Sequence, residues 1–441
     1  MTSFLPSALN YAVSVLDGVS VNTFQLLPNS STSVSPSGQV SVAIPDGALV
    51  ALDSLRMFAE VKGLGSGTAP DRVHCRLPQV NDMIARMTVS CNGIQINGSS
   101  GSYGDGMSMT TVANQDFARS QSVDATLANG NITSALADQT GTFCWHDWQN
   151  IFGHSSSKIV STGMIGSLVA TITLQDNSCL IPAGAGGIGV ALTAGEQANA
   201  SGIRYTMDKV RFTIDCYSIA GDLYSSMLEE RLEAGPIAIN FLETYAFNHD
   251  NQTGGTAAAR FSLATRCLDR LYFASRNGDY NDVGADGLAL GASIGNPFRS
   301  NRTRFRCFDP AQTARYQTQL NNANSPAFLN PLVIGGANSA FSQTDEGEAN
   351  GLKGRGNSIY SLDDYNDGCG VVVQSYKMPS GLANPMQATL GLNTKGVNAS
   401  GVYNVSGQQG INATASAAVL VIAHTQAQML VGLGRQIAVS F

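Results

Sequence analysis

Val210, Phe212, Ile214 and Cys216 occupy every second position of one segment, and Lys209, Arg211, Thr213 and Asp215 fill the positions between them. Successive side chains of an extended strand point to opposite faces, so this spacing puts the apolar set on one face and the polar set on the other. Such a segment is a half-buried antiparallel strand, because strands covered on both faces read as unbroken apolar runs. The same period recurs at Val40, Val42 and Ile44, at Met87, Val89 and Cys91, and at Leu168, Ala170, Ile172 and Leu174. It returns at Phe261 and Leu263 and again at Ile437, Val439 and Phe441. The expected fold class is therefore all-β, with antiparallel sheets packed face to face as sandwiches.

Helical periodicity is concentrated in residues 222–234, where Tyr224, Leu228 and Leu232 form an i, i+4, i+8 stripe beside Leu223 and Met227. Asp222 suits the N-cap, and Gly235 followed by Pro236 is a stop signal. This helix stands near the midpoint of the chain, so it reads as a linker (222–235) between a first β domain (1–221) and a second (236–441). A short internal match supports duplication: Leu52-Asp53-Ser54-Leu55-Arg56-Met57-Phe58 is similar to Leu268-Asp269-Arg270-Leu271-Tyr272-Phe273. The polar stretches 98–142, 184–201, 278–301 and 321–356 exceed hairpin length and are expected to be folded excursions from the β scaffold.

A chain of 441 residues can bury a sizeable core. Charged residues make up 13 % of it, about half the roughly 25 % usual for soluble domains, so Ser, Thr, Asn, Gln and Gly must dress much of the surface. The net charge is −7, and Arg56 is the single basic residue before Glu60, which leaves no basic arm for nucleic acid. The apolar run 413–423 is broken by Thr414 and Ser416 and is too short to span a bilayer. Residues 1–9 lack the basic start and apolar run of a secretory signal, so folding inside the cell is expected, with thiols reduced. The eight cysteines are dispersed without a CxxC pair and read as small core residues.

Candidate chemistry is thin. Gly184-Ala185-Gly186-Gly187-Ile188-Gly189 matches a dinucleotide-binding glycine pattern in letters, but no opening helix and no correctly placed acid follow it, so a glycine-rich rim loop is the better reading. Cys144, His146, Asp147 and His154 are the densest set of possible metal ligands, yet Trp145 and Trp148 beside them point to a packed aromatic anchor. Catalytic residues, cofactors and metals are not expected. One charge feature stands out: residues 260–315 hold nine arginines and no lysine, and Arg302, Arg304 and Arg306 alternate. On a strand they would form a strip suited to bidentate pairing across a subunit contact. An inward face toward a polyanion, or an ordinary solvated surface, would also accommodate it.

The strand 210–219, the helix 223–232 and the restart Gly235-Pro236-Ile237-Ala238-Ile239-Asn240-Phe241 together resemble the junction between the halves of double jelly-roll major capsid proteins. The likeness is to those of polinton-like viruses and virophages, and the runs 392–396 and 434–437 look similar as well. The resemblance implies two tandem eight-stranded antiparallel jelly rolls, three chains forming a pseudo-hexameric capsomer, and capsomers tiling an icosahedral shell. Its expected partners are other copies of the chain and a penton or minor capsid protein, and its expected place is the virion capsid. Direct sequence-specific nucleic-acid binding is not expected. A tandem β-sandwich that binds carbohydrate, as in an adhesin or fibre, is the alternative.

Overall fold

A computed structural model describes residues 19–78, 80–97, 102–114, 138–146, 148–186, 192–219, 223–252, 256–283, 300, 302–305, 315–321, 323–331, 370–376, 391–395, 399–406 and 417–440. The first half runs β1 (Val19–Leu26), β2 (Gln39–Ala43), β3 (Leu49–Ala51), β4 (Arg56–Leu64), β5 (His74–Arg76), β6 (Ile84–Cys91), β7 (Ile94–Asn97), α1 (Tyr103–Asn114), β8 (Thr140–Trp145) and β9 (Ile159–Ser161). It continues through α2 (Thr162–Ile165), β10 (Leu168–Leu174), β11 (Ile181–Ala183), α3 (Ala194–Ala200) and β12 (Arg204–Ile219). After α4 (Leu223–Glu233) come β13 (Ile237–Gln252), β14 (Thr256–Leu263), β15 (Leu268–Asn277), β16 (Arg315–Leu320) and β17 (Ala323–Pro331). The chain then forms β18 (Val371–Ser375), β19 (Ala399–Ser406), β20 (Ala417–Gly432) and β21 (Gln436–Ser440).

Each half is a two-sheet sandwich, and the two halves share one strand order. In the first, β8-β4-β12-β3-β9 carries β1 on β12 and faces β2-β10-β6-β7. In the second, β13-β20-β15-β18 carries β21 on β20 and faces β14-β19-β16-β17. The short internal match thus leads into equivalent strands: β4 lies between β8 and β12, and β15 lies between β18 and β20. All these pairings are antiparallel.

Alternation becomes burial as the two-residue period requires. Phe212 and Ile214 are fully buried against Val40, Val42, Met87, Val89 and Ile172 of the opposing sheet. Each such side chain contributes on the order of 1.5–3 kcal/mol. The first core does not stop at the midpoint: Ile239, Phe241, Met429 and Val431 of the second half belong to it. A second cluster joins Phe261, Leu271, Phe273 and Val421. Among the described residues no helix is long and apolar enough to cross a membrane.

Helix α4 occupies the expected place, and Leu228 and Leu232 pack partly buried against the first core. It closes before Gly235, whose φ of 143° lies in the region that favours glycine. Asp222, the expected cap, lies outside the described residues.

The polar stretch 98–142 contains α1, which the sequence period did not disclose. Its first turns are buried on every side, so no polar face alternates with an apolar one. Gly104 is required there, because a Cβ would stand 2.2 Å from the Ile84 carbonyl oxygen. The arginine strip also needs correction. Residues 302–305 form a turn and an isolated bridge rather than a strand, and Arg302 and Arg304 are each only 6 % exposed. Arg306 lies outside the described residues.

Candidate assembly interface

Arg302 is buried because its charge is answered within the chain. Its Nε donates to Asp105 Oδ1 at 2.7 Å and its Nη2 to Asp105 Oδ2 at 3.1 Å, while Nη1 donates to Asn281 Oδ1 at 2.5 Å. Burial alone would disfavour the Arg302 charge, but the Asp105 carboxylate more than offsets it and holds the pKa above the ordinary arginine value. Arg276 approaches the same carboxylate from β15 at 2.8 Å and also donates to Asn248 Oδ1 and the Arg302 carbonyl oxygen. Tyr280 covers it, with its ring centre 3.5 Å from the guanidinium carbon.

Beside this cluster the buried Asp82 accepts hydrogen bonds from Ser108, from Thr303 at 2.5 Å and from Ser300 at 3.4 Å. Asp82 and Asp105 come from the first half, and Arg276, Ser300, Arg302 and Thr303 from the second. The cluster therefore binds the halves through α1, and it gives Arg302 an intramolecular task in place of a surface one.

The aromatic-anchor reading of the tryptophan pair holds. Trp145 Nε1 donates to the Val80 carbonyl oxygen at 2.7 Å, and Trp148 Nε1 to that of Leu55 at 2.8 Å, so both buried indoles are fully satisfied. Cys144 sits half-buried on β8, and Asp147 lies outside the described residues. No group of three metal-ligating side chains forms among the described residues. At the glycine-rich loop, the Ala185 N–H donates to Glu196 Oε1 at 2.6 Å, while Thr193 and Glu196 form a reciprocal capping box on α3. A helix does therefore open after the glycine run, against the expectation from sequence, but a carboxylate of the chain itself, Glu196, caps its start.

The surface most suited to contact is apolar. Along β1, Val19, Val21 and Phe24 are 40 %, 53 % and 47 % exposed, and Leu27 just beyond is 65 % exposed. Among the described residues β1 pairs along one side, with β12, from Val19 opposite Ile219 to Leu26 opposite Phe212. Phe24 lies on the same sheet face as Ile214, its partner across the ladder, but only Ile214 is covered. Next to this edge a groove of about 640 Å³ runs between the end of β12, helix α4 and the turn 433–435. Tyr224, Leu228 and Leu232 face it from α4, Ile219 from β12 and Leu433 from the turn. Desolvation in this groove pushes the Tyr224 hydroxyl up to about 12.

No protein-family profile matches the chain, and no curated protein does. Solved structures do match its fold. The PBCV-1 virus capsid structure aligns at a TM-score of 0.60 with 12 % identity, covering 96 % of this chain and 97 % of that chain. The Sputnik virophage structure aligns at 0.54 with 10 % identity over 97 % of this chain and 89 % of that chain. The Faustovirus major capsid protein aligns at 0.54 with 7 % identity over 97 % and 94 %. The chain thus has the double jelly-roll fold that these viral capsid structures share.

Proposed function

We propose that the chain is a major capsid protein, three copies of which form a capsomer with a six-sided outline, and that capsomers tile an icosahedral shell. The observation that carries this reading is the repeated sandwich itself: one chain presents two sandwiches of equal strand order, so three-fold symmetry generates six similar walls. The end-to-end likeness of fold to viral capsid structures supports it. On this reading residues 1–221 and 236–441 are the two jelly rolls, joined by the linker 222–235. Its partners are other copies of itself and a vertex or minor capsid protein, and its place is the shell of a virion.

The surface chemistry fits such a task. Interface cores are depleted in charge, and 13 % charged residues leave little desolvation to overcome when neighbours cover the walls. The apolar β1 edge supplies the area that Arg302 and Arg304, held inside the chain, do not. Asp105 and Asp82 each accept three hydrogen bonds from their own chain, which gives both carboxylates a structural task. Negative-stain imaging with sedimentation analysis of the purified protein tests the proposal. Trimers, hexagonal plates or shells are expected, and a protein that stays monomeric at high concentration would refute it.

A further inference from the structure

On the capsomer reading, on which this rests, we propose that the outer face of β8-β4-β12-β3-β9, centred on Arg56, Phe58 and Arg211, is covered by the second half of a neighbouring copy. The internal match supplies the reason, because it pairs this face with one that is already covered inside the chain. Aligning Leu52-Asp53 with Leu268-Asp269 matches Met57 to Phe273, and each points into the core of its own sandwich. Their neighbours therefore point outward: Arg56 and Phe58 from β4, Tyr272 and Ala274 from β15. The equivalence continues across the ladders. Arg56 and Phe58 stand opposite Thr213 and Arg211 of β12, as Tyr272 and Ala274 stand opposite Ile422 and Leu420 of β20.

The two faces differ in their cover. Tyr272, Ala274, Leu420 and Ile422 are buried in one cluster with Met109 of α1, so the first half closes this face. The covering side is that of β2-β10-β6-β7, since α1 packs on β6, and its equivalent in the second half is the side of β14-β19-β16-β17. On the first half, by contrast, Arg56 and Arg211 are exposed and Phe58 is partly exposed, with the Arg211 guanidinium 5.8 Å from its ring centre. A closed ring of chains that each carry two equivalent sandwiches repeats one contact all the way round only if this open face is covered as its counterpart is. The chemistry suits a contact made on assembly. The Tyr272 face never meets water in the folded chain and can be apolar, whereas a face that stays wet until chains meet cannot be so without risking aggregation. Arginine serves such a face, because its fork pairs with carboxylates and its plane stacks on rings. Val19 and Val21 continue the same outer face past Ile219 and Tyr217, which joins it to the apolar β1 edge.

A photo-reactive phenylalanine analogue in place of Thr142, exposed on the same face opposite Glu60, tests the proposal in the full chain. Sedimentation of the unsubstituted protein first establishes whether trimers form. Irradiation followed by peptide mapping should then link position 142 to residues 236–441 of another copy, at dimer and at trimer mass, because a head-to-tail contact runs on round the ring. Where trimers form, a link to residues 1–221 of another copy, links at monomer mass alone or no link would overturn the proposal and leave the capsid reading standing. A protein that forms no trimers would overturn both. A second measurement uses Arg56→Glu/Arg211→Glu, which replaces two exposed side chains. The unfolding midpoint should stay near that of the parent while trimer association weakens roughly tenfold or more. Association equal to that of the parent would overturn the proposal.

Discussion

Arg276 and Asp105 meet at 2.8 Å with side chains 0 % and 3 % exposed, one from the second half of the chain and the other from the first. Asp105 stands on the opening turn of α1, and Arg302 grips the same carboxylate. Two guanidiniums thus converge on one carboxylate in the interior, where a charge left without its partner is costly.

Asp105→Asn should therefore destabilise the protein by about 3–5 kcal/mol, since it removes the carboxylate that both buried arginines share. Urea unfolding followed by tryptophan emission measures this, because Trp145 and Trp148 report on the first core. Conversely, Lys209→Met should change stability by less than about 0.5 kcal/mol, because the Lys209–Glu60 pair is exposed on the surface. Equal effects of the two substitutions would show that the junction cluster does not hold the halves together.

His424 gives the protein an acid-sensitive component. Burial, and after it the neighbouring Arg270 and His154 charges, lower its pKa from 6.5 to about 3, with the ring lying edge-on to Tyr272. The folded state keeps it neutral while the unfolded chain takes up a proton, so its contribution is intact above pH ~6.5 and is lost as pH falls toward ~3. By pH 5 the loss is on the order of 2 kcal/mol. His424→Gln should flatten the stability curve between pH 6.5 and pH 5 by roughly that amount, whatever its offset at neutral pH. Thermal midpoints across that range decide it, and parallel curves for the two proteins would rule out His424 as the cause.

Thiol reactivity should be graded by burial. Desolvation pushes Cys75 up to about 12 and Cys91 up to about 11, and it raises the fully buried Cys179 further from the reactive range. Cys144 is the described cysteine left half-buried rather than buried. Alkylation at pH 8 with peptide mapping should label Cys144 before the other described thiols. Under denaturing, non-reducing conditions all eight cysteines should react, and fewer would reveal a disulfide.

What the sequence disclosed was whatever obeys a local period. Phe212 and Ile214 announce their strand because each neighbours a polar residue that must face water. Leu228 and Leu232 announce their helix by a four-residue step. β1 was missed because Val19 and Val21 lie on one face and Phe24 and Leu26 on the other, so an edge strand that exposes both faces has no alternation to read. Helix α1 was missed for the opposite reason, since enclosure on all sides removes the polar stripe. The arginine strip misled because a run of positive charge reads as surface until its counter-charge is placed, and Asp105 is 197 positions from Arg302. Such a pairing leaves no short-range trace.

The apolar β1 edge leads to the prediction that decides the assembly reading. Val21 and Phe24 are roughly half exposed, lie on opposite faces of the strand and are distant from the junction cluster in the chain. Each already meets water in the single chain, so replacing both with Glu removes little core packing. In a closed ring, by contrast, the same edge recurs at every contact, and the added charges must be desolvated or face an apolar neighbour at each repeat. The double substitution should leave circular dichroism and the unfolding midpoint near those of the parent while shifting the sedimenting species from trimer to monomer. Ile94→Glu is the control: this residue on β7 is 46 % exposed but belongs to the opposite sheet of the sandwich, away from the edge, and its substitution should leave the trimer intact. Trimers that persist in the Val21→Glu/Phe24→Glu protein would remove β1 from the subunit contact, because a contact built on this edge would have to bury two carboxylates at every repeat.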